Sequence, residues 1–94
     1  MTVTLRVPTI LRGLTGGAAE VAVEPAPGAT LADLLTVVDA AHPGIADRVL
    51  DGEGRLRRFV NVYVGDEDVR FAAGLATPVP DGTLVSIIPA VAGG

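Results

Sequence analysis

Thr2-Val3-Thr4-Leu5-Arg6-Val7 alternates polar and apolar residues with a period of two. β-branched residues dominate the stretch, so it predicts a strand with Val3, Leu5 and Val7 facing inward. Pro8 ends it. Thr9 to Gly17 reads as a long hairpin connection whose glycines supply turn conformations, with Ile10 and Leu11 expected to tuck under it at the core edge. Glu20 to Glu24 repeats the alternation through Val21 and Val23. After the breakers Pro25-Ala26-Pro27-Gly28, Thr30 and Asp33 take N-cap and N3 positions, and Leu31, Leu34, Leu35 and Val38 fall at i, i+3, i+4 and i+7. That spacing predicts a helix with one apolar stripe, stopped at about Ala41 by His42-Pro43-Gly44.

The second half returns to strands. Ile45 to Leu50 reads as a short helical turn and Asp51-Gly52-Glu53-Gly54 as an exposed loop. Phe59 to Val64 is the clearest strand, with Val60, Val62 and Val64 on one face and Phe59, Asn61 and Tyr63 on the other. Gly65-Asp66 turns it, Val69-Arg70-Phe71 reads as a short strand, and Gly74 to Pro80 as an irregular crossover anchored by Leu75. Asp81-Gly82 leads into a last strand, Thr83 to Ile88, with Val85 and Ile87 inward. Pro89, lacking an N–H, is expected to end the pairing. This order predicts an α+β, β-grasp (ubiquitin-like) arrangement: a mixed sheet of four to five strands, the last beside the first, under one main helix. The expected division is a domain over residues 1–88 and a flexible tail over 89–94.

Ninety-four residues suffice for one such domain. Its two Phe, one Tyr and absent Trp leave the core to Val, Leu, Ile and Ala. No apolar run reaches membrane-spanning length, and the alternating N-terminus is unlike a secretion signal, so a cytoplasmic protein is expected. The formal net charge is −4, and all seven basic residues are Arg. Such a chain is a poor nucleic-acid ligand, and without Lys it offers no side-chain amine on which copies of itself could be linked. Without Cys there is no disulfide, thiolate metal site or side-chain persulfide.

Chemistry is left to the end of the chain. In Pro89-Ala90-Val91-Ala92-Gly93-Gly94 the two glycines lack Cβ atoms, fit narrow channels and leave the Gly94 carboxylate sterically bare. A partner supplying ATP could activate it as an acyl-adenylate. Small residues also collect at chain ends without any function, and that reading stands beside the first. Arg55, Arg57 and Arg58 form either a solvated strand entrance or a docking patch for an acidic partner. Arg58, Phe59, Asn61 and Tyr63 are the candidate docking face. Asp66, Glu67 and Asp68 are consecutive, whereas a hard-cation loop needs more ligands at alternating positions, so they read as a solvated turn. His42, the sole histidine, reads as a helix C-terminal cap or dipole partner.

Pro8-Thr9-Ile10-Leu11-Arg12, Thr15-Gly16-Gly17, Arg58 to Val64, Asp66 to Phe71, Gly74 to Thr77 and Pro89 to Gly94 together resemble the ubiquitin-like sulfur carriers. That family includes the molybdopterin synthase small subunit and the thiamin sulfur carrier, and the resemblance is nearest to its actinobacterial cysteine-biosynthesis branch. Two departures bear on the other branches. Ala90 stands where molybdopterin subunits commonly have a second Pro, and thiamin carriers lack the Ile45 to Arg57 segment.

The resemblance implies a protein co-substrate, not an enzyme. An E1-like adenylating enzyme activates Gly94 and a sulfur donor converts it to a thiocarboxylate. The acceptor it implies is a pyridoxal-phosphate cysteine synthase, with a metalloprotease releasing cysteine, or another acceptor such as a thiosugar synthase. ATP, pyridoxal phosphate and zinc then belong to the partners, and this chain binds no cofactor durably and no metal. The competing readings are a molybdopterin synthase subunit, a modifier conjugated to lysines through Gly94, and a passive binding module.

Overall fold

A computed structural model of the chain describes residues 2–89. Five strands form one sheet: β1 (Val3–Arg6), β2 (Glu20–Val23), β3 (Val60–Val64), β4 (Glu67–Asp68) and β5 (Leu84–Pro89). Their spatial order is β2-β1-β5-β3-β4. β1 and β5 run parallel and the other neighbours antiparallel, which is the mixed sheet the element order predicts, with the final strand at its centre.

The helix α1 (Leu31–Ala41) starts at the predicted capping box. Thr30 Oγ1 accepts from the Asp33 N–H at 3.4 Å, while Asp33 Oδ2 accepts from the Thr30 N–H at 3.0 Å. Its stripe of Leu31, Leu34, Leu35 and Val38 is buried against Val3, Leu5, Val62, Val85 and Ile87 of the sheet. His42 is the C-cap residue, its N–H reaching Val38 O at 2.7 Å. The short helix α2 (Ile45–Val49) follows, with Asp39 Oδ1 accepting from the Gly44 and Ala46 N–H groups, both at 3.0 Å. That carboxylate satisfies donors which a helix N-terminus leaves open.

Four local expectations are corrected. The Thr9–Thr15 connection is a 3-10 helix closed by Gly16 at φ 67°, and it turns Ile10 outward. Ile10 is 76% exposed while Leu11 is 8% exposed. Residues three apart eclipse in a 3-10 helix, so Leu11 and Leu14 share the inward side and Ile10 cannot join them. The Val69–Phe71 segment is likewise a 3-10 turn, because Asp68 Oδ1 accepts from the Arg70 N–H at 2.9 Å and bends the backbone. The strand there is Glu67–Asp68, paired with Val64 and Tyr63. Finally, β3 begins at Val60, leaving Phe59 in the preceding turn, and β5 runs on to include Pro89.

Candidate functional site

The base of the predicted tail is the end of β5. Pro89 lies opposite Val60, where pairing was expected to stop. The register explains its tolerance. Gly65 N–H donates to Leu84 O at 2.8 Å, so bonded pairs recur at Tyr63 with Ser86 and Asn61 with Ile88. Pro89 therefore occupies a non-bonded position facing β3, where no ladder N–H is required of it. On its other side, β5 has lost its neighbour, because pairing with β1 stops at Arg6 and Ser86. Ala90, Val91, Ala92, Gly93 and Gly94 lie outside the described residues.

The sheet face opposite α1 carries the predicted docking residues in part. One row crosses all five strands as Glu20, Arg6, Ser86, Tyr63 and Asp68, and the next places Ile88 beside Asn61. Asn61 and Tyr63 share this face and are half-buried, whereas Arg58 and Phe59 are exposed in the turn before β3. Phe59 is 54% exposed and Ile88 46%. Arg70 joins the turn to the strand. Its guanidinium donates to Asn61 Oδ1 and to the carbonyls of Arg57 and Arg58. Sequence reading missed Arg70, because its partners are 9 to 13 residues away and mostly backbone atoms.

The basic run divides by role. Arg57 donates from Nε and Nη2 to Asp47 O at 3.0 and 2.7 Å, fastening the loop to α2. Arg55 pairs with Glu53, both well exposed. Asp51 organises the loop between them, its Oδ1 accepting from the Glu53 and Arg55 N–H groups at 2.8 and 3.1 Å. The Arg55 amide, then the Glu53 amide, hold the Asp51 carboxyl below its ordinary pKa of 3.8. Among the described residues, no group of three or more His, Asp or Glu side chains could hold a metal.

Known proteins resemble this chain over its full length. The sulfur carrier protein CysO of Mycobacterium tuberculosis is 51% identical over 96 residues, covering 100% of both chains. The crystal structure of the Amycolatopsis orientalis BexX/CysO complex contains a chain that matches at a TM-score of 0.85 and 50% identity, covering 98% of this chain and 99% of that one. Small archaeal modifier protein 3 of Haloferax volcanii is 38% identical over 66 residues, 70% of this chain and 71% of its own. The ThiS family profile matches residues 5–94. With its central final strand, five-stranded mixed sheet and a match that spans nearly the whole sequence, this chain belongs to the ThiS family.

Proposed function

We propose that this chain is a sulfur carrier, a protein co-substrate whose reactive group is the carboxyl of Gly94. One observation carries the reading: the strand that leads to Gly93-Gly94 is the central strand of the sheet, in a chain 51% identical to CysO along its whole length. A tail rooted there has a rigid base. The five residues after Pro89 have a reach of at most about 17 Å, enough to enter a partner's channel.

In the proposed cycle, an adenylating enzyme directs the Gly94 carboxylate onto the α-phosphorus of ATP, and pyrophosphate leaves. A donor at the oxidation level of sulfide then attacks the acyl carbon and displaces AMP, leaving a thiocarboxylate. This sulfur ionises more readily than a Cys thiol of pKa about 8.5, so at neutral pH it is a ready nucleophile. The acceptor is a pyridoxal-phosphate cysteine synthase followed by a metalloprotease, or a synthase that installs sulfur on a sugar. BexX, the protein in complex with CysO in the Amycolatopsis structure, is a candidate of this acceptor class. ATP, pyridoxal phosphate and zinc belong to these partners. Arg58, Phe59, Asn61 and Tyr63 form a docking face for them, and the cytoplasm is the compartment of the cycle.

Thiol-directed alkylation of protein from its native host, followed by intact mass and C-terminal peptide mapping, tests the reading. The chain has no Cys, so a labelled terminus means sulfur at Gly94. An unlabelled terminus after incubation with ATP, sulfide donor and adenylating enzyme rejects it. Likeness to an archaeal modifier protein favours a second reading, conjugation through Gly94 to lysines of other proteins. Isopeptide-linked conjugates in host lysate support that reading, and a thiocarboxylate without conjugates rejects it.

A further inference from the structure

Two surface grooves meet at Pro89, the last described residue. The first, of about 360 Å³, runs between Pro8, Ile10, Ile88 and Pro89, with Arg6 and Arg12 along it. The second, of about 590 Å³, lies on the α2 side, with Arg48 and Arg57 along it. Ile10 lines both grooves. Four of the chain's seven arginines thus border the base of the tail, against one of its eleven acidic residues, Asp47.

This concentration opposes the charge of the whole chain, which is −4. Nor is it neutralised locally. Among the described residues, only Arg6 of the four has a carboxylate in reach, Glu20 at 3.5 Å. Arg12 Nε donates to Val7 O at 3.1 Å, and Arg57 donates twice to Asp47 O. Arg70 holds the carbonyls of Arg57 and Arg58 in the same manner. A carbonyl partner orients a guanidinium without cancelling its charge. Gathering like charges costs stability through mutual repulsion, and backbone anchoring fixes Arg12 and Arg57 in position before any partner arrives.

We propose that Arg12, Arg48 and Arg57, steadied by Arg70, form a cationic collar that recognises carboxylates around the mouth of a partner's tail-accepting channel. The partner is therefore a protein with an acidic rim, and Ile10 supplies the apolar contact between the two arms of the collar. Guanidinium forks match carboxylates bidentately, which sets the rotation of the carrier on the channel as well as attraction to it. This inference rests on the carrier reading. It assigns recognition to residues on both sides of the tail, beyond the face around Phe59 and Tyr63.

The test is ATP–pyrophosphate exchange by the adenylating enzyme of the source organism, with the full chain as substrate. Wild type is compared with the double variant R12Q/R57Q and with R48E, at about 20 mM and about 200 mM salt, which bracket strong and weak screening of surface charge. Gln retains an N–H donor for the backbone carbonyls, and Arg48 makes no side-chain hydrogen bond among the described residues, so R48E tests charge without disturbing an anchor. Melting temperature verifies each fold. Both variants are expected to raise KM for the carrier, by about tenfold for the double variant at low salt, with kcat unchanged and the difference shrinking at high salt. KM equal to wild type for R48E and for the folded double variant at both salts overturns the collar while leaving the carrier reading intact. A KM that falls on neutralisation also overturns it, in favour of arginines that grip the chain's own terminal carboxylate. Wild type without exchange rejects the carrier reading itself, and the collar with it.

Discussion

The two halves of β5 are built for different purposes. Leu84, Val85 and Ser86 are bordered on one side by Thr4, Leu5 and Arg6 of β1 and on the other by the end of β3 and Gly65. Val85 is fully buried there. Ile87, Ile88 and Pro89 keep only β3 as a paired neighbour; Ile87 stays buried, Ile88 is 46% exposed, and arginines stand beside Pro8, Ile10 and Val60 around the strand. One strand thus passes from a doubly paired to a singly paired setting within six residues. Both halves send a side chain into the core, Val85 and Ile87, but the second half is paired on one side only and has the more open surface.

If that division is correct, Leu5→Ala at the closed end produces the largest loss. Leu5 is fully buried opposite Val85, and truncating such a side chain costs about 2–5 kcal/mol, read from the urea midpoint. Thr30→Ala removes the capping hydroxyl of α1, away from β5, and should cost about 1 kcal/mol by the same measurement. Ile10→Ser at the open end should change stability by less than about 0.5 kcal/mol, because Ile10 is mostly exposed. A larger loss there would show that the open end also bears on the core.

Asp51 gives the smallest effect, and its sign is fixed. Its folded pKa lies below the ordinary 3.8. Its contribution to holding the loop is therefore complete above the unfolded value and is lost as pH falls through the folded one. An NMR titration should place the carboxyl midpoint below 3.8. Protection of the Glu53 and Arg55 amides should fade below that midpoint, and Asp51→Ala should remove this protection at every pH. The side chain is exposed, so solvent screening keeps the effect local.

How much of this could be read from sequence follows the range of each interaction. Thr30, Asp33 and the Leu31-Leu34-Leu35-Val38 stripe announce α1 because capping and amphipathicity act within two turns. The first and last strands were equally legible, since alternation at Val3-Leu5-Val7 and Val85-Ile87 marks one inward face on each. Ile10 was misplaced because the segment was read as a hairpin connection that tucks both Ile10 and Leu11 inward, whereas its period is three. The spacing of Leu11 and Leu14 between Pro8 and Gly16 held that signal. Pro89 was misjudged because the alternation of bonded pairs depends on the register with β3, which its own segment does not contain. Arg12, Arg48, Arg57 and Arg70 are scattered through the sequence and meet only after folding. Gly93-Gly94 drew attention from sequence alone because two residues without Cβ at a chain end are conspicuous locally, whereas arginines that border Pro89 from four separate segments are not.

The position of β5 between β1 and β3 also ties folding to the synthesis of Leu84–Pro89. β1 emerges from the ribosome well before its parallel partner, Leu84–Ser86. β3 and β4 likewise reach β1 only through β5. A chain that stops short of Leu84 lacks the strand that joins both halves of the sheet. It leaves Leu5 and Val62 without their β5 neighbours, Val85 and Ile87, and apolar surface exposed in this way draws chaperones and proteases. Truncated products are thereby selected against during biosynthesis, and the copies that survive as folded protein are those whose synthesis has reached the root of the tail.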